Sequence, residues 1–450
     1  MNNLSKPYTK GENVIKSEFA KVIKKAQKIN FIQHLKTSVF FQQVSLTFGT
    51  RTFIFIIGFA SSIITARYLG PEGKGILAVL MTITGIISQF GNFGFHAANT
   101  YFVAKDRGKL TKIIGNTLWL SLLGGSIISL ITLGIFFINH NFLTNIPFYL
   151  ILFALLAMPF NLLFMLGQNI FLGIQKIKVF NFLELTRQLT TFLIIAMLLV
   201  LLHQGVKAVV ITNTVFAVIF SLLVLNVLQP IGGNVYYFDF NLFKKMIRYG
   251  IKAYLAALFA FLVIRFDMLM VNYYLGSNDA GVYSIAANIA DILYMLPVSF
   301  GMILFPKVSG MKEGSWEFTK KVAWVTTLIM FFVCSFVALI AKPFIIFFYG
   351  NAFSGTIEAL WWLLPGIFAL SIETVIVQFL NSIGLPISVV FYWLIGFLIN
   401  LLLNMIFIPN FGIIGASITS SISYILLFIL ILYKTLRINI NINDQLKKIK

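Results

Sequence analysis

Apolar segments of about twenty residues recur along the chain, each long enough to cross a hydrocarbon layer about 30 Å thick as a helix. No water is present there to satisfy backbone amides, so helices are the form such segments take. The pattern predicts spans near 44–68, 75–100, 112–138, 148–172, 179–202, 206–228, 249–275, 281–305, 320–348, 357–383, 386–408 and 412–435. Apolar residues make up 59% of the chain and charged residues 11%, well below the usual quarter charged for a soluble domain. The connections are short, which leaves no room for a soluble catalytic domain between spans. The expected fold class is all-α and integral to a membrane, with about twelve transmembrane helices.

Within this series one pattern occurs twice. Tyr68-Leu69-Gly70 followed by Gly75 returns as Tyr274-Leu275-Gly276 followed by Gly281, at a constant offset of 206. A weaker echo pairs Gly205-Val206-Lys207-Ala208 with Gly412-Ile413-Ile414-Gly415. Two halves of similar design are therefore expected, and internal repeats of this size point towards transporters. The expected organisation is a basic segment 1–43, a first bundle 44–228, a linker 229–248, a second bundle 249–437 and a basic tail 438–450.

The net charge of +20 suggests a nucleic-acid partner, but its distribution excludes one. Lysine and arginine gather in alternate loops: Lys105, Arg107, Lys109 and Lys112; Lys176 and Lys178; Lys244, Lys245 and Arg248; Lys307, Lys312, Lys320 and Lys321. The opposite loops hold little beyond Arg67, Lys74, Lys207 and Lys342. By the positive-inside rule both termini are cytoplasmic and the protein is multi-pass in the cytoplasmic (plasma) membrane, which an even number of spans requires. The excess also attracts anionic lipid headgroups. In the first segment Ile15, Phe19, Val22, Ala26 and Ile29 recur at helical spacing among lysines. This fits an amphipathic helix on the inner surface, either docking there or serving only as a topology anchor. It lacks the form of a signal peptide.

Charged and polar residues inside the spans mark candidate sites, since lipid makes them costly. Gly85, Gln89, Asn92, His96 and Asn99 share one face of the second span, either packing helices together or lining a wet cavity. In the eighth span Ser284, Asn288 and Asp291 fall on a face equivalent to it by the offset of 206, which favours a common central cavity. Arg51 sits one turn inside the first span, placed either to snorkel or to face a cavity. Glu184 and Arg187, three apart, are expected to pair locally. Arg265 and Asp267 point to different sides of the seventh span, and their repeat equivalents, Phe59 and Ser61, are uncharged. Glu373, with Gln378 and Asn381 nearby, and the pair Asn400 and Asn404 complete the inventory. His34, His140 and His203 read as solvated.

No phosphate-binding loop, His-Glu-x-x-His or Gly-x-Ser-x-Gly occurs. The lone Cys334 excludes a disulfide framework or a cysteine metal cluster. No enzymatic activity, cofactor or metal is expected, and transport would draw on an ion gradient or on the substrate's own gradient.

Three stretches in this order carry a resemblance. Arg67-Tyr68-Leu69-Gly70-Pro71-Glu72-Gly73-Lys74-Gly75 is the first. The second is Asp267…Gly276…Gly281-Val282-Tyr283-Ser284 with Pro297 and Pro306, and the third is Asn400…Asn404…Pro409…Gly412-Ile413-Ile414-Gly415-Ala416. Together they resemble the polysaccharide flippases of the multidrug/oligosaccharidyl-lipid/polysaccharide exporter superfamily, over nearly the whole chain beyond the basic segment. The resemblance implies two six-helix bundles around a central cavity that opens alternately to each side. It also implies a substrate of glycan linked through pyrophosphate to a polyprenol, with glycan polymerase and glycosyltransferases as possible partners. Asp267 matches a carboxylate usual in that family's seventh helix, whereas Asp291 stands where the family more often has glutamate.

On this reading Arg265, then Arg51 and Arg187, are the candidates for the anionic headgroup, with Gln89, Asn92 and Asn288 for the sugars. Asp267, Asp291, Glu184 and Glu373 are candidates for ion coupling or charge balance. Two other classes fit the spans: a cation-coupled drug antiporter of the same superfamily, for which ethidium efflux discriminates, and a non-transporting component of glycan assembly. Two checks follow. Tyr68 should superpose on Tyr274, with Gly70 and Gly276 at one membrane surface. Cysteines at positions 89, 92, 288 and 291, after removal of Cys334, should react with a water-soluble thiol reagent; protection in every conformational state would mark those positions as helix packing.

Overall fold

The computed structural model describes residues 39–138, 146–233, 237–311 and 314–449. The expected amphipathic segment, together with His34, His140 and Lys312, lies outside them. Among the described residues ten helices are long and apolar enough to cross a membrane. Two of these, Leu46–Asn92 at 47 residues and Ile387–Ile440 at 54, are more than twice the length that a bilayer about 30 Å thick requires. Each is broken at one glycine with positive φ, Gly70 (φ 68) and Gly412 (φ 61). The result is twelve spans.

They are numbered here as follows: α1 39–69; α2 71–105; α3 Arg107–Ile138; α4 Phe148–Gly173; α5 Ile177–Leu201; α6 Val206–Gly232. The second series is α7 Phe240–Leu275, α8 Ser277–Ser309, α9 Ser315–Tyr349, α10 Thr356–Ser382, α11 387–411 and α12 413–449. The turns are tighter than the sequence pattern suggests. Gly70 alone separates α1 from α2, and Gly276 (φ 89) alone separates α7 from α8. Only glycine takes such backbone angles without penalty. Pro71 follows in the first helical position, where its missing N–H and fixed φ suit a helix start.

The spans form two six-helix bundles. In the first, α4 is the buried centre, packed on α6 and on the 95–105 part of α2; in the second, α10 occupies the equivalent place among α8, α9 and the α11–α12 pair. The bundles meet where α2 crosses α8. A methyl group on Gly75 would fall 1.7 Å from the Ser277 carbonyl oxygen, and one on Gly281 would fall 1.8 Å from that of Pro71. These two contacts are images of each other under the offset of 206. A twofold relation between the halves therefore passes between the two glycines, with Gly70 and Gly276 at the same end.

At the opposite end the bundles meet again. Gly94 and Gly250 touch backbone to backbone, and Tyr101 stacks on Tyr249 with centroids 4.1 Å apart. The linker is clasped to the first bundle. The Asp239 amide donates to Asn116 Oδ1 (2.8 Å) while Asn116 Nδ2 donates to the Asp239 carbonyl (3.0 Å). The Asp239 carboxylate caps α7 by accepting from the Leu242 amide (2.9 Å) and pairs with Lys112 (2.8 Å). Lys112 first, and the capping amide second, hold this carboxyl below the usual aspartate range.

Two outcomes are expected. Gly281→Ala should destabilise the purified protein by about 1–3 kcal/mol, the usual cost of overpacking. Gly134→Ala, with open space around it, should be neutral or slightly stabilising in the same thermal unfolding assay. Because the Asp239 pKa is depressed by folding, its contribution is present above the unfolded value near 4 and is lost as pH falls through the lower folded value. The difference in melting temperature between wild type and Asp239→Asn should therefore shrink at acid pH.

Candidate functional site

Between the two bundles lies a chamber of about 840 Å³ beside the Gly75–Gly281 crossing. Its walls are α1 (54–65), α2 (74–82), parts of α7 and α8, and Gln188, Ile195 and Val209 from α5 and α6. Most of the lining is apolar, as in ligand pockets generally, with a few polar groups converging.

Lys74 is the polar group that the sequence pattern misplaces. Assigned there to an outer loop, it lies in the first turn of α2, because the turn before it is Gly70 alone. Its side chain is buried, and the ammonium lies 3.0 Å from Thr65 Oγ1 and 3.2 Å from Ser62 Oγ. Among the described residues no carboxylate forms an ion pair with it. Asn288 donates to the same Ser62 Oγ from α8 (3.3 Å), so one hydroxyl links a cation of the first bundle to an amide of the second. A positive residue in a turn ending on glycine was the available signal; the missing information was that the turn is one residue long.

Arg265 does have a partner. Its Nη2 lies 2.7 Å from Asp291 Oδ2, and both side chains are about one-third exposed to the chamber. The two stand eleven residues before and fifteen after Gly276, so the tight α7–α8 hairpin brings them to similar depth. Arg265 and Asp267 do diverge, as their spacing predicts. Asp267 is buried within the second bundle, accepting from the Tyr283 hydroxyl, Ser420 Oγ (3.0 Å) and the Met268 amide (2.7 Å). Glu373 is buried in α10. One carboxyl oxygen has no partner among the described residues, and the other lies 3.5 Å from Thr374 Oγ1. That hydroxyl is 2.8 Å from the phenol of Tyr294, which lines the chamber.

The pair expected between Glu184 and Arg187 does not form. Glu184 reaches across to Arg51 on α1 at 2.7 Å, while Arg187 donates to Asn161 on α4 and rests over the Phe164 ring at 4.4 Å. Three residues along a helix share a side only loosely, and these two face different neighbours. Neither Arg51 nor Arg187 lines the central chamber.

The polar stripe on α2 is also divided. Phe93 (φ 45) and Gly94 (φ 79) interrupt the helix, so residues before and after them do not share one face. Gly85 packs on Phe261 of α7. Asn92 is buried and bonded to His96 (2.7 Å), and Asn99 bonds Thr117 (3.0 Å) and the Leu166 carbonyl (3.0 Å). Asn99 therefore joins helix to helix, Asn92 ties the two parts of α2 together across the break, and half-buried Gln89 is not part of the chamber lining. Asn400 and Asn404 bond each other at 3.0 Å inside the second bundle. A cysteine at 288 or 291 should react with a water-soluble thiol reagent, whereas one at 92 should be protected; equal reactivity at all three would contradict this assignment.

Comparison with known proteins places this geometry. A family model described as "Polysaccharide biosynthesis protein" matches residues 40–312. The chain is 23% identical over 311 residues to a protein of Shigella flexneri named putative O-antigen transporter, covering 66% of this chain and 70% of that one. The curated relatives it matches are spanned over between 34% and 92% of their own length. Among solved structures, lipid II flippase MurJ in an inward closed conformation is similar with a TM-score of 0.73 and 17% identity, over 86% of this chain and 87% of that one. An inward-facing multidrug resistance MATE family transporter of the MOP superfamily is similar with a TM-score of 0.70 and 16% identity, over 86% and 94%. At such identities the two structures speak to the fold alone.

Proposed function

Since the chain belongs to the polysaccharide biosynthesis protein family, we propose that it is a flippase for polyprenyl-pyrophosphate-linked oligosaccharide or a related glycolipid, working by alternating access for polysaccharide export. The carrying observation is the charge of the chamber. Its ionisable lining is Lys74, Arg265 and Asp291, two cations against one anion, and the anion is already paired.

The physics of the cargo matches such a lining. A polyprenyl tail stays in lipid, while a pyrophosphate with its sugars must cross a medium that does not hydrate it. Cationic donors replace lost hydration with charge-assisted hydrogen bonds, which are about twice as strong as neutral ones. In this reading Arg265 and Lys74 hold the pyrophosphate from opposite bundles, and Asn288 with Gln188 bonds sugar hydroxyls. Arg51 and Arg187, outside the chamber, are weaker candidates for that group. Asp291 sets the orientation of Arg265. Asp267 and Glu373 balance charge or carry a coupling proton or sodium, the second through its Thr374–Tyr294 connection to the chamber. The ends carrying the basic loops face the cytoplasm in the plasma membrane, beside the polymerase and glycosyltransferases that use such a lipid.

A cation-coupled drug antiporter of the same superfamily is the second reading. A cationic drug would prefer a chamber of net negative charge, which this lining does not supply.

Arg265→Gln combined with Asp291→Asn removes the ion pair without leaving a lone buried charge. The double variant should insert and accumulate normally. Its glycan export should fall roughly tenfold to 150-fold, which corresponds to about 1.5–3 kcal/mol for a hydrogen bond to a charged group. Arg265→Lys should keep part of the activity, having the charge but not the planar fork. Normal export by the double variant would place the pyrophosphate elsewhere.

A further inference from the structure

A second polar cavity, of about 190 Å³, lies within the first bundle between α2, α4, α5 and α6. Arg187, Asn161 and Asn213 line it together with Thr84 and Thr214. We propose that this cavity is a binding site for a monoanion of carboxylate size, separate from the central chamber.

The hydrogen-bonding capacity left open in it is that of donors. A guanidinium has five N–H groups, and the bond from Arg187 to Asn161 Oδ1 uses one of them. With its oxygen so engaged, Asn161 has its amide N–H groups left to offer. Asn213 has no partner among the described residues. The two threonines do not compete as donors, because Thr84 donates to the carbonyls of Leu80 and Met81, and Thr214 to those of Phe153 and Val210.

The charge balance is equally one-sided. Glu184, the carboxylate nearest in sequence, is bound to Arg51 at 2.7 Å, and its other oxygen has no hydrogen-bond partner. Arg51, Glu184 and Arg187 together leave one surplus positive charge inside a membrane protein, where a counter-charge is strongly favoured. The fold does not require this arrangement. Under the repeat offset, Arg187 and Asn161 correspond to Trp393 and Ile367, both buried and apolar in the second bundle. The volume selects against a pyrophosphate-linked sugar and suits a small anion with a few waters, at about 30 Å³ per water.

Two sources can supply such a group: a free anion from solution, or the carboxylate of an acidic sugar on a transported glycan. Leu77 and Met81 line both this cavity and the central chamber, so those side chains form the partition between them. Methionine is the side chain best suited to move aside.

The test is equilibrium binding of radiolabelled acetate to the purified full-length protein in nanodiscs, read by scintillation proximity without any transport. Saturable binding is expected. It should weaken at least tenfold in Arg187→Gln and in Asn213→Leu, and it should be unaffected by the Arg265→Gln/Asp291→Asn double variant. Asn213 bonds no other described residue, so its variant guards against loss of fold in the first. Displacement by glucuronate at least tenfold more effective than by unlabelled acetate or chloride identifies the acidic sugar as the source. Equal or weaker displacement identifies a free anion. No saturable binding, or binding that survives Arg187→Gln but is lost in the Arg265 double variant, overturns the proposal. Because transport is not measured, failure of the flippase reading leaves this result standing, and the reverse holds too.

Discussion

Two glycine backbones in contact hold the rest of this structure in place. Gly75 and Gly281 let α2 and α8 approach until a methyl group on either would collide with a carbonyl of the other helix. The close crossing brings the bundles together at one end of the space between them. Immediately inside it, the first turn of α2 presents Lys74, and Asn288 and Asp291 follow about three and four turns along α8. Small residues permit such backbone approach between membrane helices in general. Here they also set which side chains face the chamber. A comparable contact between Gly94 and Gly250 joins the bundles at the other end, so the chamber lies between two points where they touch.

The distribution of charge follows from the same constraint. A membrane interior tolerates ionised groups only when they are paired or face water, and each bundle meets this rule differently. The second bundle pairs Arg265 with Asp291 and buries Asp267 among hydroxyls. The first bundle neutralises Arg51 with Glu184 and leaves Arg187 with an amide and an aromatic ring. Two halves of one design have thus acquired different chemistry, cationic in the first and rich in carboxylates in the second. Transport of an anion coupled to a cation would use both.

The spans were legible in the sequence because bilayer thickness imposes a length that no soluble helix needs. The twofold repeat was legible because its glycines hold positive backbone angles and close contacts, which fixes their spacing. Lys74 was not, since a hairpin turn of a single residue looks in sequence like a loop of six. The partners of Glu184 and Arg187 were hidden for another reason. They come from other helices, Arg51 on α1 and Asn161 on α4, and helical spacing speaks only of neighbours on one element. Asn92 and Asn99 share a stripe on paper, and the break at Phe93 and Gly94 dissolves it.

The proposed flippase carries an anionic lipid headgroup between leaflets through this chamber without help from another protein. Its most direct test is reconstitution of the purified chain into liposomes holding a fluorescent polyprenyl-pyrophosphoryl oligosaccharide, with an impermeant quencher outside. Protein-dependent loss of the protected inner-leaflet fluorescence is expected, together with a much slower loss for a neutral glycolipid bearing the same sugars. Protection identical to that of protein-free liposomes, under every ion gradient applied, would rule out flipping by this chain alone.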